Sequence, residues 1–347
     1  MQKIKIEIQN LRGLSILSVF CFHLLPKYFP NGYLGVDVFF VISGFLITQQ
    51  LVYLEKRSIS KYISEFYFRR FKRILPSAIS ILVLTLLASY FLLGVVTFVD
   101  NLKEAQWVNL FAGNWFYSKL KIDYFSSGNI SLFQHYWSLA IEEQFYLIWP
   151  LIIFLSKLRR FLPIFIFSIS LGIYLHSNTA ISFFSTFHRI WELAAGALLA
   201  IYPWRTKLVL PIASSYILLI LILFPIEITQ KIATLLAVFL TSVLITFGLS
   251  AKIKGPFFYL GEISYSIYLV HCPVIKIFDE LHPNMGISLR TVLIILTVSA
   301  LSTLNFFLIE NKFRNFKYRN PSKTIATYIF LVLFFEFTLI SLKGYYV

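Results

Sequence analysis

Gly35-Val-Asp-Val-Phe-Phe-Val-Ile-Ser-Gly-Phe-Leu-Ile-Thr-Gln-Gln-Leu-Val-Tyr-Leu54 contains a single charged residue, Asp37, in twenty positions. A helix of that length spans about 30 Å, the thickness of the hydrocarbon core of a bilayer. Reading outward, further apolar stretches lie at 13–30, 76–98, 138–156, 162–176, 186–203, 208–224, 231–250, 257–275, 289–309 and 324–342. The stretch at 162–176 is short for a crossing, and 324–342 reads as an appendage to a ten-helix body. The expected fold is all-α, a polytopic transmembrane helix bundle of about ten or eleven spans. It forms one membrane-embedded domain over 1–342, with its core over 13–309 and no soluble domain.

Composition gives the same answer. Of 347 residues 58% are hydrophobic, 18% aromatic and only 14% charged, and the mean hydropathy is +0.76. A soluble domain carries about 25% charged residues, so this chain is solvated by lipid. Cys21 and Cys272 both lie in apolar segments, which excludes a disulfide framework, and the spacing of a four-ligand zinc site is missing, so no metal is expected. Arg12 leads into the first apolar stretch without a small-residue cleavage pattern, so that stretch is expected to remain as an anchor.

The net charge of +15 would suit nucleic acid, but the basic residues form no stripe on a recognisable binding fold. They sit between the apolar runs. With the N-terminus cytoplasmic, the inner side holds Lys3, Lys5 and Arg12, seven residues over Lys56 to Arg73, and Lys157, Arg159 and Arg160. Arg205, Lys207, Lys252, Lys254 and five residues over Lys312 to Lys323 complete 22 of the 31. The positive-inside rule therefore puts the N-terminus in the cytoplasm. The largest outer connection, 99–136, carries Trp107, Trp115, Tyr117 and Tyr124, which suit a membrane-interface belt or a sugar platform.

Ionisable groups within apolar spans are costly and mark cavities or partners. Here they are Arg12, His23, Asp37, Glu142, Glu143, His188, Arg189, Glu192, Glu262, His271, Glu310 and Glu336. Arg12 and His23, eleven positions apart, project from one helix face about 16 Å apart along the axis. The turn Lys27 to Tyr33, centred near Pro30, places His23 and Asp37 seven residues to either side. The pair can be a carboxylate-oriented histidine or an ion pair that fastens a hairpin. Arg70 and Arg73, at i and i+3 in the basic run at the cytoplasmic mouth of the third span, can converge on one anion or snorkel to lipid phosphates. Glu142 and Glu143 point about 100° apart, so one of them shares a cavity with His23. Arg189 and Glu192 read as an internal pair, and His271 as a hydrogen-bonded core histidine or a cavity wall.

Six blocks in order carry a resemblance. They are Arg12-Gly13 with His23; Gly35 to Leu46; Arg69-Arg-Phe-Lys-Arg-Ile-Leu-Pro76; Trp137-Ser-Leu-Ala-Ile-Glu-Glu-Gln-Phe-Tyr146; Arg189-Ile-Trp-Glu-Leu-Ala-Ala-Gly196; and Ser264-Tyr-Ser-Ile-Tyr-Leu-Val-His271. Together they resemble the acyltransferase family 3 integral membrane proteins over nearly the whole chain, and most of all its short stand-alone bacterial and phage O-antigen O-acetyltransferases. The resemblance implies transfer of an acetyl group from cytoplasmic acetyl-coenzyme A to a sugar hydroxyl of a surface polysaccharide such as lipopolysaccharide O-antigen, or of a lipid-linked glycan. It implies a bacterial inner-membrane enzyme with lipid, acyl-coenzyme A and glycan as partners. Arg69, Arg70, Arg73 and Arg12 would hold the donor; His23 would be the base or brief acyl carrier, oriented by Asp37 or Glu142. Larger relatives add a periplasmic domain, and its absence puts a two-domain relay in doubt. Lys312 replaces a proline common in the family, so Glu310 is given no role. A transporter or flippase for a lipid-linked sugar or small anion is the competing class, since buried His, Asp, Glu and Arg suit it too.

Overall fold

The computed structural model describes residues 6–54, 59–125, 131–155, 161–177, 183–203, 210–247, 254–316 and 321–346. Its helices are α1 (Ile6–Leu24), α2 (Leu34–Leu54), α3 (Ile59–Ala88), α4 (Val95–Asn109), α5 (Gly113–Lys119), α6 (Tyr136–Leu155), α7 (Phe161–His176), α8 (Thr186–Ile201), α9 (Leu210–Leu223), α10 (Gln230–Phe247), α11 (Pro256–Glu262), α12 (Ser264–Leu281), α13 (Ile287–Asn305), α14 (Asn311–Asn315) and α15 (Pro321–Tyr346). Each of the eleven expected stretches coincides with helix. No strand occurs among the described residues. By length and composition, five helical stretches suffice to cross a membrane: Leu34–Tyr53, Tyr62–Leu93, Gln230–Phe247, Ile287–Asn315 and Thr324–Tyr346. Lys3, Lys5, Lys56, Arg57, Lys157, Arg159, Arg160, Arg205, Lys207, Lys252, Lys317 and Arg319, which oriented the sequence reading, lie outside the described residues.

Three boundaries differ from expectation. The first helix covers 6–24 and not 13–30, because Pro26 pushes Leu25 out of the helical region and the chain then turns through Pro30 and Gly32. The third begins at Ile59 and runs through Pro76, so the basic run lies within the helix, ahead of its apolar stretch. Its first half buries Tyr62 and Phe66 completely, on the helical face that Arg69 and Arg73 continue. The ninth breaks at Ile263 into α11 and α12, where the Ser264 hydroxyl donates to the Gly261 carbonyl at 2.9 Å. π-helical turns extend α3 over Ser89–Leu93, stopped by Gly94 at φ 86°, and extend α13 over Phe306–Glu310.

The chain divides into two compact units interleaved in sequence. One comprises Met1–Glu55, Phe145–Ser182 and Thr186–Tyr265. In it α2 packs on α8, α1 and α10, α8 on α7, and α1 on α11. Its core holds Ile16, Val19, Phe40, Val41, Ile47, Leu193, Ala197 and Ala237. Small residues let these backbones close up, as in membrane bundles generally. A Cβ on Gly44 would lie 1.9 Å from the Leu193 carbonyl oxygen, and one on Gly196 would lie 1.9 Å from that of Val41. The second unit comprises Lys56–Gln144, Phe183–Ser185 and Ser266–Val347. There α3 packs on α15 and α14, and α15 on α4. Asn109 of α4 donates to the Glu336 carboxylate of α15 at 2.9 Å.

Candidate active site

In the first unit, Arg12 is buried on α1 and donates from Nη2 to the Ser264 hydroxyl at 2.7 Å. His23 is the penultimate residue of the same helix, at its far end. Its Nδ1 lies 2.9 Å from the carbonyl oxygen of Val19, one turn back. A carbonyl oxygen can only accept, so this contact is a hydrogen bond when Nδ1 carries the proton. A neutral ring in that tautomer presents the Nε2 lone pair that a general base needs.

Asp37 lies in the first turn of α2 and is fully buried. Its Oδ1 accepts from Arg189 Nη2 at 2.5 Å, and Arg189 Nε faces Glu192 Oε1 at 3.2 Å. Asp37 is thus paired with Arg189, which the sequence reading joins to Glu192 alone. A sealed carboxylate needs a permanent cation, and a guanidinium supplies one where a neutral imidazole does not. The α2–α8 crossing brings that guanidinium within reach, and it also stands 5.8 Å over the Phe40 ring. The Arg189–Glu192 contact matches the sequence spacing.

In the second unit the basic run of α3 spreads its side chains around the helix. Arg69 pairs with Glu65 one turn earlier. Arg70 stands 5.9 Å over the Phe66 ring, and the charges of Arg70 and Arg73 both bear on Glu143 of α6. Glu142 bears instead on Tyr268 of α12. The adjacent carboxylates therefore serve different neighbours, and it is Glu143 that meets the arginines.

Sequence reasoning did not anticipate the polar network on α6 and α12. Ser138 and Tyr268 join their hydroxyls at 2.6 Å, and Tyr268 donates to the His135 carbonyl at 2.6 Å. The rings of His135 and His271 stand 5.4 Å apart, and His271 Nδ1 lies 2.7 Å from the Tyr268 carbonyl. Glu310 is buried too, accepting from Ser266 at 2.7 Å. Only the Tyr and His residues near 268 signalled this. In the 99–136 connection Tyr124 stacks on Phe183 at 4.4 Å, while Trp107 and Trp115 stay exposed at 41% and 37%. Ser131 donates to Glu104 Oε2 at 2.7 Å. Burial pushes the Glu104 carboxyl up to about 7, with hydrogen bonds from Ser131 and Tyr117 opposing the rise.

The model of one family, described as "Acyltransferase domain", matches residues 5–310. The peptidoglycan O-acetyltransferase OatA of Listeria monocytogenes is 29% identical over 366 residues, covering 90% of this chain and 58% of that protein. The O-acetyltransferase OatA of Staphylococcus aureus is 29% identical over 344 residues, covering 88% of this chain and 57% of that protein. The chain thus spans a little over half the length of these relatives. No solved structure matches.

Proposed function

This chain belongs to the acyltransferase domain family, and from that premise we propose that it is a multi-pass membrane O-acetyltransferase acting on a sugar hydroxyl of a cell-envelope glycan. The donor is cytoplasmic acetyl-coenzyme A, and the enzyme sits in a bacterial inner membrane with its N-terminus in the cytoplasm.

The observation that carries this reading is the match of the acyltransferase domain over residues 5–310, which includes His23 with its Nδ1 2.9 Å from the Val19 carbonyl oxygen. His23 Nε2 takes the proton of the sugar hydroxyl as its oxygen attacks the thioester carbonyl carbon. The carbon–sulfur bond then breaks, and the proton passes to the departing thiolate of coenzyme A. General-base catalysis of this kind contributes about 100-fold to 10,000-fold. Arg69, Arg70 and Arg73 hold the donor phosphates. Arg12, tied to Ser264, steadies the donor from the face of α1 that carries His23. Asp37 acts at one remove, locking α2 to α8 through Arg189, and Glu142 positions groups on α12 through Tyr268.

The Listeria relative, a peptidoglycan O-acetyltransferase, favours peptidoglycan as acceptor, whereas the resemblance of the sequence favours O-antigen. Expression in a host with defined lipopolysaccharide and peptidoglycan, followed by mass analysis of both, tests the reading. One added acetyl on either glycan, absent with His23→Ala at equal membrane level, supports it and names the acceptor. No added acetyl on any envelope glycan overturns it in favour of a carrier.

A further inference from the structure

The basic face of α3 is not closed by α3 alone. Arg69, Lys72 and Arg73 are spaced i, i+3 and i+4 and share one face, and the charge of Arg69 bears on Lys72. Against this helix packs α14. Lys72 Nζ donates to the Phe316 carbonyl at 3.2 Å, just beyond the end of α14, which carries Lys312 and Arg314. Five cations therefore lie on the packed pair α3 and α14, with two carboxylates close to them in sequence. One of these, Glu65, pairs with Arg69. The other, Glu310, is buried, is engaged by Ser266, and stands 4.0 Å from Arg314. Among the described residues no ion pair joins Lys72, Arg73 or Lys312 to a carboxylate. Arg314 is held by cation–π contact 5.7 Å over Phe306, its side chain one-third exposed. Like charges pressed together repel unless an anion sits among them.

We propose that α14 completes the donor-phosphate site, with Lys72 and Arg314 adding two cations to Arg69 and Arg73 so that the set holds the phosphate groups of acyl-coenzyme A. The inference rests on the acyl-coenzyme A reading above and extends the site beyond the arginines of α3. A ligand with three phosphate groups suits such a set better than one phosphate does, because each cation can meet its own oxygen. Arg70, over Phe66 and facing Glu143, keeps its donor role on the adjoining face of α3.

The test is a titration of the detergent-purified full chain with coenzyme A, dephospho-coenzyme A and inorganic pyrophosphate. Lys72→Gln and Arg314→Gln are each expected to weaken coenzyme A about tenfold, the value of one charge-assisted hydrogen bond. Lys72→Arg and Arg314→Lys should recover most of the loss, which separates charge from folding. Wild-type protein that binds coenzyme A, alongside glutamine variants that bind it equally well, overturns this inference alone. If those variants instead lose retention of anionic lipid in mixed vesicles, the cations belong to headgroups and the inference fails as well. Wild-type protein that binds no coenzyme A overturns the donor reading, and this one with it.

Discussion

Replacing Arg189 with Met preserves side-chain bulk at the α2–α8 crossing and removes the cation from a sealed cluster. Arg189 is 1% exposed, and Asp37 and Glu192 are not exposed at all. Asp37 loses its 2.5 Å partner, and two carboxylates are left facing each other with no countercharge. Removing one member of a buried ion pair costs about 3 to 5 kcal/mol, because the other charge stays desolvated. At roughly 1.5 to 3 °C per kcal/mol for a chain of this size, the midpoint should fall by roughly 5 to 15 °C. The assay is thermal loss of the monodisperse peak in detergent, followed by tryptophan fluorescence on size exclusion. Adding Asp37→Asn to Arg189→Met should restore at least half of the loss, since the amide needs no cation. A midpoint within about 2 °C of wild type for Arg189→Met would refute the reasoning, as would a double variant no better than the single one.

Further outcomes follow from the same geometry. Gly196→Val should lower the midpoint as strongly as Arg189→Met, because its Cβ must displace the Val41 carbonyl from 1.9 Å; ordinary yield and stability would contradict the close crossing. Glu143→Gln should raise the apparent KM for acetyl-coenzyme A more than it lowers kcat, by loosening Arg70 and Arg73; a pure kcat effect in steady-state assays would contradict that role. Glu104 binds its proton more tightly in the folded connection, at about 7, than in an unfolded chain near 4.5. Its protonated form therefore favours folding below about 4.5, and that contribution is lost as pH rises through about 7. Limited proteolysis of the 99–136 connection should be slower at pH 5 than at pH 8, and Glu104→Gln should abolish the difference.

What the sequence made legible was what local counting can see. Eleven apolar runs became helix, since burial in lipid needs nothing beyond length and composition. Arg189 and Glu192 met because i and i+3 share a helix face. Asp37 escaped the same counting. Its distance from His23 was read along the chain, but its partner was chosen by a helix crossing 152 positions away, where two glycines remove the spacing that side chains would impose. The start of the third helix needed a different cue. A hydropathy count begins the apolar stretch after the charges of Arg69 to Arg73, while the helix itself begins at Ile59 and buries Tyr62 and Phe66 ahead of them. Glu310 was visible as an ionisable group in a span, but its partner was not. It closes a π-helical turn, and the extra residue in such a turn rotates everything after it by about 100° relative to an uninterrupted helix.

The glycines explain why charged and small residues occur together in three of the blocks that carry the resemblance. Gly13 follows Arg12, and a Cβ there would lie 1.9 Å from the Phe257 carbonyl oxygen; reciprocally, a Cβ on Gly261 would lie 2.0 Å from that of Gln9. That interlock of α1 with α11 delivers Ser264, three residues past Gly261, to the Arg12 guanidinium. Gly44 and Gly196 do the same for α2 and α8 and deliver Arg189 to Asp37. In each case the close approach of two backbones excludes lipid and water from the polar contact beside it, which strengthens that contact and makes its loss expensive. The three blocks around Arg12, Asp37 and Arg189 therefore each contain a charged residue and the gap that seals it. Enlarging the glycine should disable the charged neighbour as thoroughly as removing the charge, through a change in distance and with no change in the chemistry of the group itself.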